Sequence, residues 1–279
     1  MIVVTGATGN VGRVLVRSLS AAGERVTAVS RATMPVDVPD GVRHIRADLA
    51  EPETLRPAVD GARALFLLVS GAGAHLAPGD ILDVAKAGGV DRVVLLSSQA
   101  AGTRPESVSH APLRGIEDVV RGSGMAWTIL RPGGFYSNVY GWANPIRAER
   151  TAAAPFGDVG LPLVDPADIA EVAAVVLRDD RHAGRIYELT GPALTTPRDR
   201  ARILGEALGE PVRFVDQTVD QAREQMLTFM PPPVVEGTLA ILGSPLATEQ
   251  RISPHIAEIL GRAPRSFSDW ARRSVDAFR

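Results

Sequence analysis

Short, unbroken apolar runs alternate with helical patterns through the first half of this chain. Ile2, Val3 and Val4 form the first run, and Val11, Val14, Leu15 and Leu19 follow at helical spacing. Further runs predict strands over 25–30, 42–46, 62–69, 91–96 and 126–130. Helices are predicted over 11–22, 77–87 and 107–122. Runs such as Ala-Arg-Ala-Leu-Phe-Leu-Leu-Val at 62–69 lack strict alternation, which suits parallel strands buried on both faces. Strands alternating with helices argue for an α/β fold with a doubly wound parallel sheet.

The rhythm changes after Pro132. Residues 136–165 read as loop-rich, with Trp142, Pro145, Pro155 and Pro162. Asp165-Pro166-Ala167-Asp168 reads as a capped helix start with proline in the first turn. Beyond it the pattern predicts strands at 185–190 and 212–215, and helices at 197–208, 219–229, 233–242, 254–260 and 266–276. The expected organisation is a core over 1–135 and a smaller, mostly helical lobe over 136–279. Their boundary, about 132–160, is soft, because segments of the tail are expected to return to the core sheet.

Composition narrows the chemistry. The formal net charge is −2 and no basic run is interleaved with aromatics, so nucleic acid and anionic membrane surfaces are not expected partners. The absence of cysteine excludes thiol nucleophiles, disulfides and thiolate metal sites. No apolar run approaches about 18 residues and no charged leader precedes the first strand, so a cytoplasmic chain without membrane span or signal peptide is expected. Lys86 is the only lysine.

The turn after the first strand carries the sharpest signal. Gly6, Gly9 and Gly12 stand in the spacing Gly-x-x-Gly-x-x-Gly between strand and helix. The first lets the chain turn sharply, the second lets backbone N–H groups approach a pyrophosphate, and the third lets the helix close on the strand. The phosphates then meet the positive end of the helix. A purely structural turn is the alternative, but position, order and spacing agree on a dinucleotide site. Arg31 follows the second strand, and no acid occurs at 29–32. An acid there would bind the ribose hydroxyls and select NAD, whereas arginine accommodates a 2′-phosphate. The expected cofactor is therefore NADP(H), with Arg13 as second support. The strand ends at Val69-Ser70 and Ser97-Ser98-Gln99 lie where open α/β sheets bind ligands.

Thr5-Gly6-Ala7-Thr8-Gly9-Asn10-Val11-Gly12, Arg31, Asp48-Leu49, Ser97-Ser98, Trp127-Thr128-Ile129-Leu130-Arg131-Pro132 and Asp165-Pro166-Ala167-Asp168-Ile169-Ala170 supply a wider pattern. Over roughly the first 190 residues it resembles the NmrA-like atypical short-chain dehydrogenases/reductases. The resemblance implies a Rossmann core and a cofactor held by Gly6, Thr8, Gly9, Asn10, Val11, Gly12, Arg31, Asp48, Leu49, Val69, Ser70, Ser97 and Pro132. Asp48-Leu49 would hold the adenine ring, although Asp48 serves equally well as a helix cap before Glu51 and Pro52. It further implies either an NADPH-dependent reductase of quinones, dyes and related conjugated compounds, or a nucleotide-sensing regulator without turnover.

Short-chain dehydrogenases typically use a serine after the fifth strand and Tyr-x-x-x-Lys on the next helix. Counting back from Glu117 and Trp127 places Ser109 and Leu113 at the tyrosine and lysine positions, and counting from Ser97-Ser98 places Gln99 at the serine. The three tyrosines, Tyr136, Tyr140 and Tyr187, all follow the sixth strand. The expected chemical residues are therefore Gln99, as an amide donor to a substrate oxygen, and His110, as a proton donor. Each has a structural alternative: a loop cap for Gln99 and a solvated helix-start polar group for His110. Arg114 shares a helix face with His110 and is available to a ribose or phosphate. Asp165 and Asp168 read as a cap and first-turn acid. Phe135, Tyr136, Val139, Tyr140, Trp142, Phe229, Met230 and Pro231–Pro233 supply either a lined pocket for a conjugated or aromatic small molecule, or ordinary core. The histidines are scattered singly, so no metal site is expected. Hydride transfer from NADPH to a quinone, enone or aromatic compound is the favoured reading, with a redox sensor as the alternative. The oligomeric state stays open.

Overall fold

Alternate residues of each central strand enter opposite hydrophobic layers, which is why the apolar runs show no period of two. Val4, Phe66, Val94 and Leu130 face one layer, whereas Val3, Leu65, Leu67, Val93, Leu95 and Ile129 face the other. The computed structural model describes residues 1–32, 37–69 and 73–279, so Ser70 lies outside the described residues.

The chain begins β1 (Ile2–Val4), α1 (Gly12–Ala21), β2 (Val26–Ser30) and β3 (Arg43–Arg46). A 3-10 turn at Pro52–Leu55 runs into α2 (Arg56–Val59), and β4 (Ala64–Leu68), α3 (Pro78–Ala87) and β5 (Arg92–Leu96) follow. Next come α4 (Gln99–Thr103), a 3-10 turn at Val108–His110, α5 (Ala111–Gly122) and β6 (Ala126–Pro132). The remainder is α6 (Ala143–Glu149), β7 (Thr151–Ala154), α7 (Pro166–Val176), β8 (Arg185–Leu189), α8 (Pro197–Leu208), β9 (Arg213–Asp216), α9 (Val219–Leu227), α10 (Pro232–Gly243), α11 (His255–Leu260) and α12 (Phe267–Ser274).

Seven strands form one parallel sheet in the order β3-β2-β1-β4-β5-β6-β8. The order reverses between β1 and β4, which opens the ligand crevice at their carboxyl ends. Helices α1, α7 and α11 cover one face, while α2, α3 and α5 cover the other. This is the doubly wound Rossmann arrangement. Strand β8 pairs with β6 in register from Thr128 opposite Arg185, and α7 lies against α1, so the chain crosses back into the core after Pro132.

Two expectations need correction. The stretch 136–165 is not mostly loop: a 3-10 segment at Tyr136–Trp142, α6 and β7 occupy it, and β7 pairs in parallel with β9 in a separate two-stranded sheet. Its partner strand is sixty residues away, so nothing in the local pattern marks Thr151–Ala154 as a strand. The helix expected from 107 begins at Ala111, because Pro112 at its start brings a 3-10 turn before it. Tyr136, Val139 and Trp142 belong to the core of the carboxyl-terminal lobe, with Phe267 and Trp270. The Tyr136 ring meets Phe267 edge-on at 5.1 Å, and burial pushes its phenol well above the usual range. These aromatics hold the lobe together instead of lining a pocket.

Candidate active site

The glycine turn joins three strand ends. Thr5 donates its hydroxyl to the Phe66 carbonyl at 3.0 Å and accepts the Leu68 N–H at 2.8 Å, so the end of β1 is fixed to β4. The Ala7 N–H donates to the Val29 carbonyl at 3.0 Å, which ties the turn to β2. Gly6 has φ of +63°, where a side chain would be strained and a Cβ would stand 2.9 Å from Leu68. At Gly12 a Cβ would lie only 2.2 Å from the Gly6 carbonyl oxygen. Gly9, at the exposed tip, has only that same oxygen nearby, at 3.3 Å. Gly6 and Gly12 are thus required by the chain itself, whereas Gly9 keeps the outer surface of the turn open.

Helix α1 has no side-chain cap. Among the described residues, no acceptor takes the N–H groups of Asn10, Val11 and Gly12. Uncapped N–H groups at a helix start, next to a tip without a Cβ, fit the pyrophosphate of a dinucleotide. Thr8 and Asn10 are exposed there, and Asn10 donates to Ser137 at 3.1 Å, which joins the turn to the segment after β6. Arg31 is exposed at the end of β2. The Asp48 carboxylate accepts the Ala50 N–H at 3.0 Å, so it shapes its own turn, while Leu49 lies against the apolar layer beneath. Val69 is half-buried in the same layer.

At the carboxyl ends of β5 and β6 the donors are consumed by side chains from elsewhere. Ser97 gives its proton to buried Glu117 at 2.6 Å. Glu117 also accepts from Arg131 through Nε at 2.9 Å and Nη2 at 2.6 Å, and from Arg121 at 2.8 Å. Burial would raise its pKa, but the hydrogen bonds from Arg131 and Ser97 outweigh that and hold the carboxyl below its usual range. Ser98 caps α4 through the Ala100 N–H. Gln99 is buried beside Gly133, and its amide leans on the Thr248 carbonyl at 3.4 Å. Pro132 is buried, and the next residue's N–H reaches the Leu189 carbonyl at 3.0 Å, which sets the turn into Gly133 and Gly134.

A second buried carboxylate clamps the lobe onto this edge. Glu249 accepts from Thr103 at 2.8 Å and from Arg104 at 2.7 and 2.8 Å, and Arg104 also reaches the Ser244 carbonyl. Neither Glu117 nor Glu249 stands out in the sequence, because a buried carboxylate is defined by arginines distant along the chain. Arg131, within the resembling Leu130-Arg131-Pro132, is the one local hint.

His110 sits on the 3-10 turn before α5, its Nδ1 facing the hydroxyls of Ser107 at 3.3 Å and Ser109 at 2.9 Å. Burial and the neighbouring Arg114 guanidinium push its pKa below the usual imidazole range, against an opposing pull from Glu249. Arg114 donates to the Arg104 and Ser107 carbonyls, so it braces the loop. Ser109 meets α10 where a Cβ on Gly237 would stand 2.2 Å from its hydroxyl.

Other candidates fall elsewhere. Asp165 caps α7 through the Ala167 N–H, whereas Asp168 is fully buried and pairs with Arg262 and Arg265. Lys86 reaches the Ser123 carbonyl on an outer groove between α3 and α5. Among the described residues no cluster of three or more metal-ligating side chains occurs, and no helix is long and apolar enough to cross a membrane.

Comparison with known proteins agrees with this geometry. Residues 6–180 match a family described as NAD(P)H-binding. The chain is 34% identical, over all of itself and 99% of the relative, to the (4-alkanoyl-5-oxo-2,5-dihydrofuran-3-yl)methyl phosphate reductase of Streptomyces griseus. It is 30% identical, over all of itself and 99% of the relative, to the NAD(P)H azoreductase of Xenophilus azovorans. The NADPH-dependent quinone oxidoreductase of Escherichia coli, solved with NADPH, shares the fold at a TM-score of 0.80 and 22% identity, covering 98% of this chain and 99% of that one.

Proposed function

Because this chain belongs to the NmrA-like NAD(P)H-binding family and takes NADP(H) as cofactor, we propose that it is an NADPH-dependent reductase of conjugated electrophiles such as quinones, enones or aromatic compounds. Bound NADPH supplies the hydride. The uncapped N–H groups of Asn10, Val11 and Gly12 hold the pyrophosphate, with Thr8 and Gly9 at the open tip. Arg31 meets the 2′-phosphate, and Asp48, Leu49 and Val69 flank the adenosine and the strand ends. Ser70 is assigned to the same rim by its position in the sequence alone. Ser97 and Pro132 border the nicotinamide end.

The observation that carries this reading is the missing acid. Ser109 and Leu113 align with the tyrosine and lysine of that pair, and burial with the Arg114 guanidinium lowers the pKa of His110. Among the described residues at this edge, no tyrosine–lysine pair stands ready to protonate a localised alkoxide. An acceptor whose anion is delocalised needs no such acid, and water can protonate it. The names of the relatives support this: one is a reductase of an alkanoyl-substituted oxodihydrofuran and the other an azoreductase, and both named compounds are conjugated. Gln99 then directs an amide N–H at the substrate oxygen, and His110 offers an N–H through Nε2.

A panel of quinones and enones tests the reading by the rate of NADPH oxidation. Turnover is expected with these and not with simple ketones. Gln99→Ala and His110→Ala should each lower kcat at least about tenfold with NADPH affinity near wild type. Tight NADPH binding without turnover on any acceptor would sink the reductase and leave a sensor. Normal turnover by both variants would move the chemistry away from this edge.

A further inference from the structure

Behind Arg31 stands a pair of side chains that neither the glycine turn nor the reaction edge uses. Ser30 closes β2 and is 7% exposed, and its Oγ lies 2.8 Å from Nε2 of His44 on the neighbouring strand β3. The same oxygen accepts the Ala32 N–H at 3.3 Å, closing the backbone around exposed Arg31. Its own carbonyl accepts the Ala47 N–H at 3.1 Å. A serine hydroxyl has one proton and two lone pairs. With one lone pair on the Ala32 N–H, the hydroxyl still rotates until a second partner fixes it, and His44 does so in either tautomer.

We propose that His44 is a positioning residue for cofactor selectivity: through Ser30 it fixes the turn from which Arg31 meets the 2′-phosphate, and so favours NADPH over NADH without touching the cofactor. The setting suits a phosphate, because Arg31 is exposed, Arg46 opposite Ser30 on β3 is exposed too, and no acid occurs at 29–32. Arg17, the other arginine on this side of α1, is tied to Asp37 at 3.0 Å. NADPH and NADH differ only in the 2′-phosphate, so a loosened turn weakens one and spares the other. The inference rests on Arg31 as the phosphate contact and does not depend on which electrophile is reduced.

Binding decides it without any turnover. NADPH and NADH are titrated by fluorescence against wild type, Arg31→Ala, His44→Ala, His44→Gln and Ser30→Ala. Arg31→Ala should weaken NADPH about tenfold or more, as expected for losing a charged hydrogen bond. His44→Ala and Ser30→Ala should each weaken NADPH roughly three- to tenfold while NADH stays within about twofold. His44→Gln, whose amide can still hold the Ser30 hydroxyl, should restore most of the loss. Equal weakening of both cofactors, or retained selectivity in His44→Ala while Arg31→Ala loses it, overturns the role of His44. Unchanged NADPH binding in Arg31→Ala overturns the phosphate contact beneath it. Should His44→Ala fail to fold, Ser30→Ala removes the same link from the other side, and retained selectivity there is equally fatal.

Discussion

The two ends of the cleft are built in opposite ways. At the glycine turn the backbone leaves its donors free: α1 is uncapped, and Gly9 keeps the tip open. At the β5–β6 edge nearly every donor already has a partner. Ser97 is engaged by Glu117, Arg104 by Glu249 and Arg114 by backbone carbonyls. A site for a fixed anion can be made from local backbone, since every phosphate presents the same oxygens. A reaction edge has to be shaped by side chains brought from afar, and buried ion pairs hold that shape at the cost of desolvation.

The comparison breaks most visibly if Glu117 is removed. Glu117→Ala leaves Arg131 partly buried and unpaired and should cost about 3–5 kcal/mol, read as a fall in the denaturant midpoint. The same group sets a pH dependence. Its pKa is lower folded than unfolded, so it stabilises above the ordinary glutamate value, near ~4.3, and that contribution is lost as pH falls through the folded value. Acid unfolding followed by circular dichroism should be shallower in Glu117→Ala than in wild type. An identical acid limb would mean the pair contributes nothing there.

At the other end, Gly12→Ala and Gly9→Ala separate fold from ligand. Gly12→Ala drives a methyl into the Gly6 carbonyl and should cost about 1–3 kcal/mol of stability as well as NADPH binding. Gly9→Ala should leave the melting temperature nearly unchanged but weaken NADPH, because its methyl projects where the phosphates approach. Equal stability loss in the two would show that the turn is purely structural.

The smallest effect is expected at Gly237. Gly237→Ala gains about 0.8–1 kcal/mol in helix propensity but pushes α10 off Ser109 at about 1–3 kcal/mol, a net loss near ~1 kcal/mol. Ser109→Ala in the same chain should recover part of it. Failure of the double variant to recover any would mean that α10 is held elsewhere.

The legibility of the sequence follows the same division. Strands β1 to β6, helices α1, α3 and α5 and the glycine turn were readable because their signals are local: apolar runs, helical periodicity and three glycines in order, whereas the short α2 and α4 carried too little periodicity to be seen. Helix α8 was found over the expected 197–208, and the structure adds the Thr196–Asp199 capping box that starts it. Strand β7 was not, because Ala152 and Ala153 become strand only through pairing with Phe214 and Val215. The missing Tyr-Lys pair was plain from composition. That α10 packs against Ser109 was not, since Ser109 and Gly237 meet only in the folded chain. Glu117 reads as one more polar residue on an amphipathic helix, and burial against Arg131 and Ser97 alone makes it a clamp. The sequence by itself determined the sheet, the phosphate turn and the absence of a strong acid, because short-range backbone geometry and residue identity suffice for these. The shape and charge of the β5–β6 edge were decided by tertiary structure, because they depend on buried carboxylates meeting partners such as Arg131 and Arg104 that lie far along the chain.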